Sequence, residues 1–374
     1  MSAGHTILVT GGCGFIGSHL VDRLVADGQR VRVIDALEPQ VHGDGPPPYL
    51  NAGADYTFAS LADRGALATV LEGADAIFHL AASVGVGQSM YEIERYVASN
   101  TLGTAKLLEY VMNESPSRPA KLVVASSMSV YGEGAYACPT CGPMPGSRRA
   151  EDLDASRWEP RCAGCGAELV TLPTRETKPI EPTSVYALTK YDQERLCLSV
   201  GAAYEVPVVA LRFFNVYGPR QALSNPYTGV AAIFSSRIKA GRPPVVYEDG
   251  RQRRDFVSVH DVVAACLLAL DEPRADGRIF NVGSGRAISV LELGHLLLDL
   301  YGRPSQLEPE ISGTFRQGDI RHCFADITAL RALGYEPAVD LATGLAELAA
   351  WAESVEAEDR FAAAQEELAK KGLL

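Results

Sequence analysis

Tyr186 and Lys190 put a phenol and an ammonium four residues apart, in the segment Tyr-Ala-Leu-Thr-Lys. On a helix these two side chains share a face, one turn apart. A phenol titrates near ~10 and is a poor base at neutral pH, but a neighbouring cation stabilises the phenolate and lowers that value. The pair can accept a proton if something held by the same chain accepts a hydride. YxxxK spacing also arises by chance, as a solvated Lys beside a half-buried Tyr, so the elements that position the pair must decide.

Those elements begin at the N-terminus. Residues 6–10 form a short apolar run of strand character, followed by Gly11-Gly12-Cys13-Gly14-Phe15-Ile16-Gly17. An amphipathic helix through residues 18–25, a stop at Gly28 and a strand over residues 30–35 complete the unit. A glycine turn between strand and helix, with an acid about 20 residues on, is the context of dinucleotide binding. Gly11 and Gly14 allow a tight turn and close approach to a pyrophosphate. Gly17 allows the helix to pack closely on the strand, and the helix N-terminus offers unpaired N–H groups. Asp35 can accept from a ribose 2′-OH and would repel a 2′-phosphate, which favours NAD over NADP. Further strands are expected at residues 56–58, 76–80 and 121–126, with helix from about 89 to 112. Two of these strands are apolar on both faces, as a buried parallel sheet requires. The expectation is an α/β fold, a Rossmann-type doubly wound parallel sheet.

Length and composition bound the rest. The chain has 374 residues, 47% hydrophobic and 21% charged. We expect a dinucleotide-binding domain over 1–225, a smaller substrate-binding lobe over 226–342 with some chain exchange, and a helical tail over 343–374. No apolar run approaches the ~20 residues of a membrane helix, and residues 7–9 are too short for a secretory apolar region. The net charge of −12 disfavours nucleic acid and anionic lipid as partners. A cytoplasmic protein with no membrane or nucleic-acid partner is expected, holding any anionic ligand through local Arg groups and helix N-termini.

Several motifs resemble the extended short-chain dehydrogenase/reductase family of NAD-dependent nucleotide-sugar epimerases and dehydratases. They are the glycine turn, His79-Leu80-Ala81-Ala82, Asn100-Thr101-Leu102-Gly103-Thr104, Ser126-Ser127-Met128-Ser129-Val130-Tyr131-Gly132, Tyr186-x-x-x-Lys190, Arg212-Phe213-Phe214-Asn215-Val216-Tyr217-Gly218-Pro219 and Arg254-Asp255-Phe256-Val257. The resemblance implies a catalytic trio of Ser127, Tyr186 and Lys190, with Ser129 as a helper. It implies cofactor contacts from Gly11, Gly14, Phe15, Ile16, Gly17, Asp35, Leu80, Ala81, Ala82, Asn100, Ser126, Tyr186, Lys190 and Phe214. For a nucleotide-diphosphate sugar it implies Ser89, Ser127, Ser129, Asn215, Val230, Tyr247, Arg254, Arg316 and Asp319, with Arg253 a weaker match. A homodimer is implied as well. Ala59-Ser60 stands where the family usually has Gly-Asp beside the adenine, so recognition there is expected to be rearranged.

The reaction follows from what is present. Tyr186 can take a proton from a sugar hydroxyl while NAD takes the hydride from the same carbon, and return of the hydride to the other face inverts that centre. Dehydratase relatives carry Asp-Glu where this chain has Met128-Ser129, and a Met cannot move a proton. C4 epimerisation is therefore expected. Within the family, residues 85–91 and 225–230 look most like dTDP-L-rhamnose 4-epimerases; UDP-sugar 4-epimerases (glucose/galactose, N-acetyl or uronate forms) are the alternative. Cys323 falls where UDP-galactose enzymes carry a residue that gates bulk at C2. A non-catalytic NAD-sensing scaffold is the other class of function, but such proteins typically lose the Ser, Tyr or Lys.

One feature departs from the family. About 50 residues separate Gly132 from Tyr186, where a short loop is usual, and they contain Cys138-x-x-Cys141 and Cys162-x-x-Cys165. Twenty residues lie between the pairs, which fits a zinc-ribbon-like unit over 134–175. Four thiolates leave no open position, so the metal would be structural. Free thiols, a redox switch and a nucleic-acid-binding ribbon are the competing readings, the last disfavoured by mixed local charge. The insert is expected to lid the sugar pocket or join a dimer interface.

Overall fold

Seven parallel strands form the central sheet of the computed structural model, which describes residues 4–303, 306–316 and 318–374. In spatial order they are Ile279–Val282, Val208–Phe213, Lys121–Ser127, Ala76–His79, Thr6–Thr10, Arg30–Asp35 and Ala54–Phe58. Chain order reverses between Thr6–Thr10 and Ala76–His79, so their C-terminal ends flank the switch point at which open α/β sheets take ligands. Ile7, Leu8 and Val9 are fully buried, as are Leu122, Val123 and Val124, because helices cover both faces. Phe15–Ala26 and Val259–Asp271 pack on one side through Leu20, Val21, Leu24, Val262 and Ala269. Arg64–Leu71, Gly103–Asn113 and Val185–Tyr204 pack on the other through Leu67, Leu107, Val111 and Cys197. The doubly wound sheet expected from the sequence is present.

The expected helix over 89–112 is broken. Short turns at Val86–Ser89 and Ile93–Tyr96 lead into a π-helical turn at Val97–Leu102, and only Gly103–Asn113 is regular α-helix. The cause lies at Asn100, whose amide bonds Ser83 and Thr189 while Thr104 Oγ1 donates to its carbonyl at 2.6 Å. Such a turn re-aims a side chain at a functional position.

The second lobe is built on Phe234, Ile238, Val246, Phe256, Leu293, Leu297, Leu345 and Leu348. Strand Ile279–Val282, from the second half of the chain, completes the seven-stranded sheet beside Val208–Phe213, and helix Val259–Asp271 packs on that sheet. Of the tail, Leu341–Ser354 belongs to the second core. Phe361–Lys370 sets Phe361 against Tyr247, ring centroids 6.5 Å apart. The insert forms a small antiparallel sheet of Ala135–Cys138, Gly142–Met144 and Val170–Leu172. Among the described residues no helix is long and apolar enough to cross a membrane.

Candidate active site

The glycine turn is shaped by contacts that forbid side chains. Gly11 has φ +71°, and a Cβ there would lie 2.8 Å from the Ala81 backbone; one on Gly17 would lie 2.2 Å from Gly11 O. Gly14 differs, since its Cβ would meet only Gly11 O at 3.4 Å. Gly14 caps Phe15–Ala26 with no side-chain hydrogen bond, which leaves first-turn N–H groups for an anion. Ala81 N donates to Thr10 Oγ1 at 3.1 Å, so the Leu80-Ala81-Ala82 loop lies over the turn. Phe15 and Ile16 are half-buried at the helix start. The buried Asp35 accepts from Cys13 N and Leu37 N, both at 2.9 Å. These bonds fix its carboxylate and leave lone pairs for a ribose hydroxyl. Burial, then Asp35, push the Cys13 thiol up to about 12, so it is inert. His42 was not foreseen. Its side chain is 4% exposed, its Nε2 stands 3.8 Å from Asp35 Oδ1, and its Nδ1 has no partner. At the substituted adenine position, Ala59 N bonds Asp35 O and exposed Ser60 closes a turn on Ala62 N. These residues fit NAD: an uncapped helix end for the pyrophosphate and an acid for the ribose.

We expect Asp35→Ser to weaken NAD binding at least about tenfold, because it removes both the hydroxyl acceptor and the clamp on the turn. Calorimetric titration of the NAD-free chain checks this; affinity within about twofold of wild type would contradict it.

Ser127 and Tyr186 come together. Ser127 Oγ accepts from Ser129 Oγ at 2.9 Å and from Ser129 N at 3.2 Å. With both acceptor positions occupied, the Ser127 hydroxyl keeps its own proton to donate. Burial raises the Tyr186 phenol, and the hydrogen bond from Ser127 opposes that rise. Ser184 caps the helix Val185–Tyr204 through Ala187 N, and Ser89 Oγ accepts from Tyr186 N at 2.9 Å. Lys190 is buried, and burial lowers its ammonium to about 7. Its Nζ donates to Gln193 Oε1 at 2.8 Å. Burial is the larger influence on the Tyr186 phenol.

Some expected ligand contacts already have protein partners. Ser126 Oγ donates to Glu194 Oε2 at 2.7 Å. Ser89 also donates to Val86 O at 2.6 Å, and the Asn100 amide holds Ser83 and Thr189. Phe214 is buried in the core with its N–H on Val282 O. Met128 is buried in the core, 8% exposed, so no acid stands in its place.

In the second lobe, Asn215 Oδ1 is buried without a partner, as a ligand-facing acceptor would be. Val230 begins the helix Val230–Lys239. Arg316 lies over the Tyr247 ring at 4.6 Å and its Nε donates to Asp319 Oδ2 at 2.9 Å, joining three expected residues. Gln317, between them, lies outside the described residues. The Arg254 guanidinium spans the carbonyls of Ile320 and Arg321, and Arg253 is exposed. Cys323 is fully buried, its sulfur 3.8 Å from Thr174 Oγ1.

In the insert, ligand atoms of Cys138, Cys141, Cys162 and Cys165 all lie within 4.8 Å of one another. Cys138 Sγ and Cys165 Sγ are 3.4 Å apart, far beyond a disulfide bond. Backbone N–H groups of Thr140 and Cys141 hold the Cys138 thiol down at about 6, ready to bind a cation as thiolate. The donor set fits a closed tetrahedral zinc site.

Residues missed in the sequence surround Lys190. Gln193 Nε2 donates to Thr104 Oγ1 and Ala81 O and meets His79 Nε2. Glu194 pairs with Arg212 at 2.6 Å, and Arg212 also reaches Tyr131 Oη at 2.9 Å. Lys190, Gln193 and Glu194 fall at i, i+3 and i+4, a spacing that could have marked them as one buried polar face.

A parallel sheet with a glycine turn, an acid on the second strand and a Ser–Tyr–Lys trio defines an NAD-dependent enzyme of the short-chain dehydrogenase/reductase type. The profile of the NAD dependent epimerase/dehydratase family matches residues 7–151 and 163–283, and the chain belongs to that family. It is 37% identical over 356 residues to a dTDP-L-rhamnose 4-epimerase of Burkholderia thailandensis, covering 93% of this chain and 95% of the relative. The UDP-glucose 4-epimerase of Thermotoga maritima with UDP-glucose superposes with a TM-score of 0.75 at 31% identity, over 93% of this chain and 99% of that one. The Thermus thermophilus UDP-glucose 4-epimerase complexed with NAD gives 0.73 at 29% identity, over 94% and 100%.

Proposed function

We propose that the protein is an NAD-dependent nucleotide-sugar 4-epimerase acting on dTDP-L-rhamnose and dTDP-6-deoxy-L-talose. The observation that carries the reaction type is Ser127, held by two hydrogen bonds from Ser129 and neighbouring Tyr186, beside a buried Met128. When bound, NAD supplies a hydride acceptor and donor. Ser127 orients the sugar hydroxyl and Tyr186 takes its proton, leaving a 4-keto sugar. Tyr186 then returns the proton after the sugar presents its other face. Lys190, held by Gln193, is placed to bind the nicotinamide ribose. No acid stands at position 128 to eliminate water. The 37% identity to the dTDP-L-rhamnose enzyme supports the sugar assignment; UDP-sugars are the second reading, favoured by the solved relatives.

The four cysteines hold a structural zinc in this reading. Exposed Ile93, Val97, Leu102 and Leu188 form an apolar face on the helices flanking the site and support a homodimer. The protein is expected in the cytoplasm. Incubation with dTDP-, UDP- and GDP-sugars, followed by NMR of the products, tests the substrate. Conversion of dTDP-L-rhamnose at least about tenfold more efficient than that of any UDP-sugar is expected; the reverse preference would overturn the sugar assignment.

A further inference from the structure

Between its two cysteine pairs the insert reaches from the metal site to the substrate lobe and back, and the family match breaks there, between residues 151 and 163. On the outward path Arg148, almost completely buried, sits 2.5 Å from Glu248 Oε1 and 3.2 Å from Glu133 Oε1, and donates to Asp319 O at 2.7 Å. On the return path Glu159 accepts from Arg321 Nε at 3.0 Å and meets His322 Nε2 at 2.8 Å. Trp158 packs edge-on against Phe315, 6.3 Å between centroids. Arg321 is itself 0% exposed and also bonds Glu248 Oε2 and Asp249 Oδ1, both at 2.7 Å.

Glu248 joins these contacts. It is 2% exposed, adopts a left-handed backbone with φ +53°, and gives one carboxylate oxygen to Arg148 and the other to Arg321. A non-glycine residue keeps that conformation only where its surroundings hold it. Glu248 follows Tyr247, whose ring carries Arg316, which in turn holds Asp319. The insert thus grips this set at both ends, at Glu248 through Arg148 and at Asp319 O through the same guanidinium. A buried charge cluster is sensitive to the loss of any member. The insert's own apolar core is small, with Tyr136, Cys138, Cys162 and Leu169 as its buried residues. Without metal it has little to hold Arg148 and Glu159 in place.

We infer that the metal-bound insert is a strut of the nucleotide-sugar site. Arg148 and Glu159 are positioning residues that set Tyr247, Arg316 and Asp319 for a nucleoside diphosphate, and occupancy of the four cysteines governs the affinity of that site. The inference rests on the nucleotide-sugar reading above.

The test uses the full-length, NAD-loaded chain, with dTDP and UDP as calorimetric probes, zinc content by atomic emission, and steady-state kinetics on the active sugar. Arg148→Gln, Glu159→Gln and the chelator-treated wild type should each bind the nucleoside diphosphate at least about tenfold more weakly and raise KM alike. NAD content should hold and kcat stay within about threefold. Arg148→Lys should recover part of the loss, because a point charge replaces only some of the guanidinium contacts. Arg157→Ala, which removes an exposed partner of Asp152, should change nothing. Chelation of Arg148→Gln should add less than the product of the two separate losses, because both act through one set of contacts. Nucleotide affinity within about twofold of wild type in soluble Arg148→Gln and in the metal-free protein would overturn the strut. If Arg148→Gln does not fold, the metal-free wild type decides. A wild type that binds neither nucleotide would overturn the nucleotide reading and the strut together. One that binds but inverts no sugar would overturn only the epimerase reading.

Discussion

Tyr186→Phe is expected to lower kcat by about 10²- to 10⁴-fold while the protein stays folded and keeps its NAD. The phenol oxygen is the group that moves the sugar proton in the proposed reaction, and Ser127 is its neighbour. The ring remains in the variant, so its edge contact with Tyr96, 6.4 Å between centroids, is preserved. Nucleotide binding in the second lobe is untouched, so KM should move little and the loss should sit in kcat. Stopped assays at matched enzyme concentration, with NAD content measured after desalting, check this. Turnover within about tenfold of wild type would show that another group carries the proton.

Glu194→Ala is expected to destabilise the fold by about 3–5 kcal/mol. Glu194 is 0% exposed, and its carboxylate takes two Arg212 nitrogens, at 2.6 and 2.9 Å, together with Ser126 Oγ. Removing it leaves the Arg212 guanidinium, 2% exposed, without its counter-ion. The Tyr131 hydroxyl at 2.9 Å and the Glu176 carbonyl at 3.1 Å cannot replace a negative charge. Domains are stable by only about 5–15 kcal/mol, so the loss is a large fraction of the whole. Glu194→Gln should cost less, since it retains one acceptor. Urea unfolding of the NAD-free proteins measures both. A shift below about 1 kcal/mol for Glu194→Ala would show that the pair is dispensable.

Much of this account was legible from local spacing. The glycine turn, Asp35 and the Tyr186–Lys190 pair depend on residues near one another in sequence, and the paired cysteines announce their own geometry. What spacing leaves open is which way side chains point. Ser89, Ser126 and Asn100 stand where a ligand contact was expected but direct their polar atoms to the protein. Spacing cannot reveal that, because it depends on partners such as Glu194 and Thr189 in a distant helix. The continuous helix expected over 89–112 failed for the same reason: Asn100 bends the chain to reach Ser83 and Thr189. The charge cluster of Arg148, Glu159, Glu248 and Arg321 joins residues up to 162 positions apart, and no local pattern marks those four charges as partners.

The central claim is that one hydride leaves C4 and returns to the same carbon. A nucleotide sugar carrying deuterium at C4, turned over in ordinary water and followed by NMR, tests it most directly. An inverted C4 that keeps its deuterium is expected, with no solvent hydrogen entering the ring. Deuterium lost to solvent, or relocated to C6 with loss of water, would contradict it.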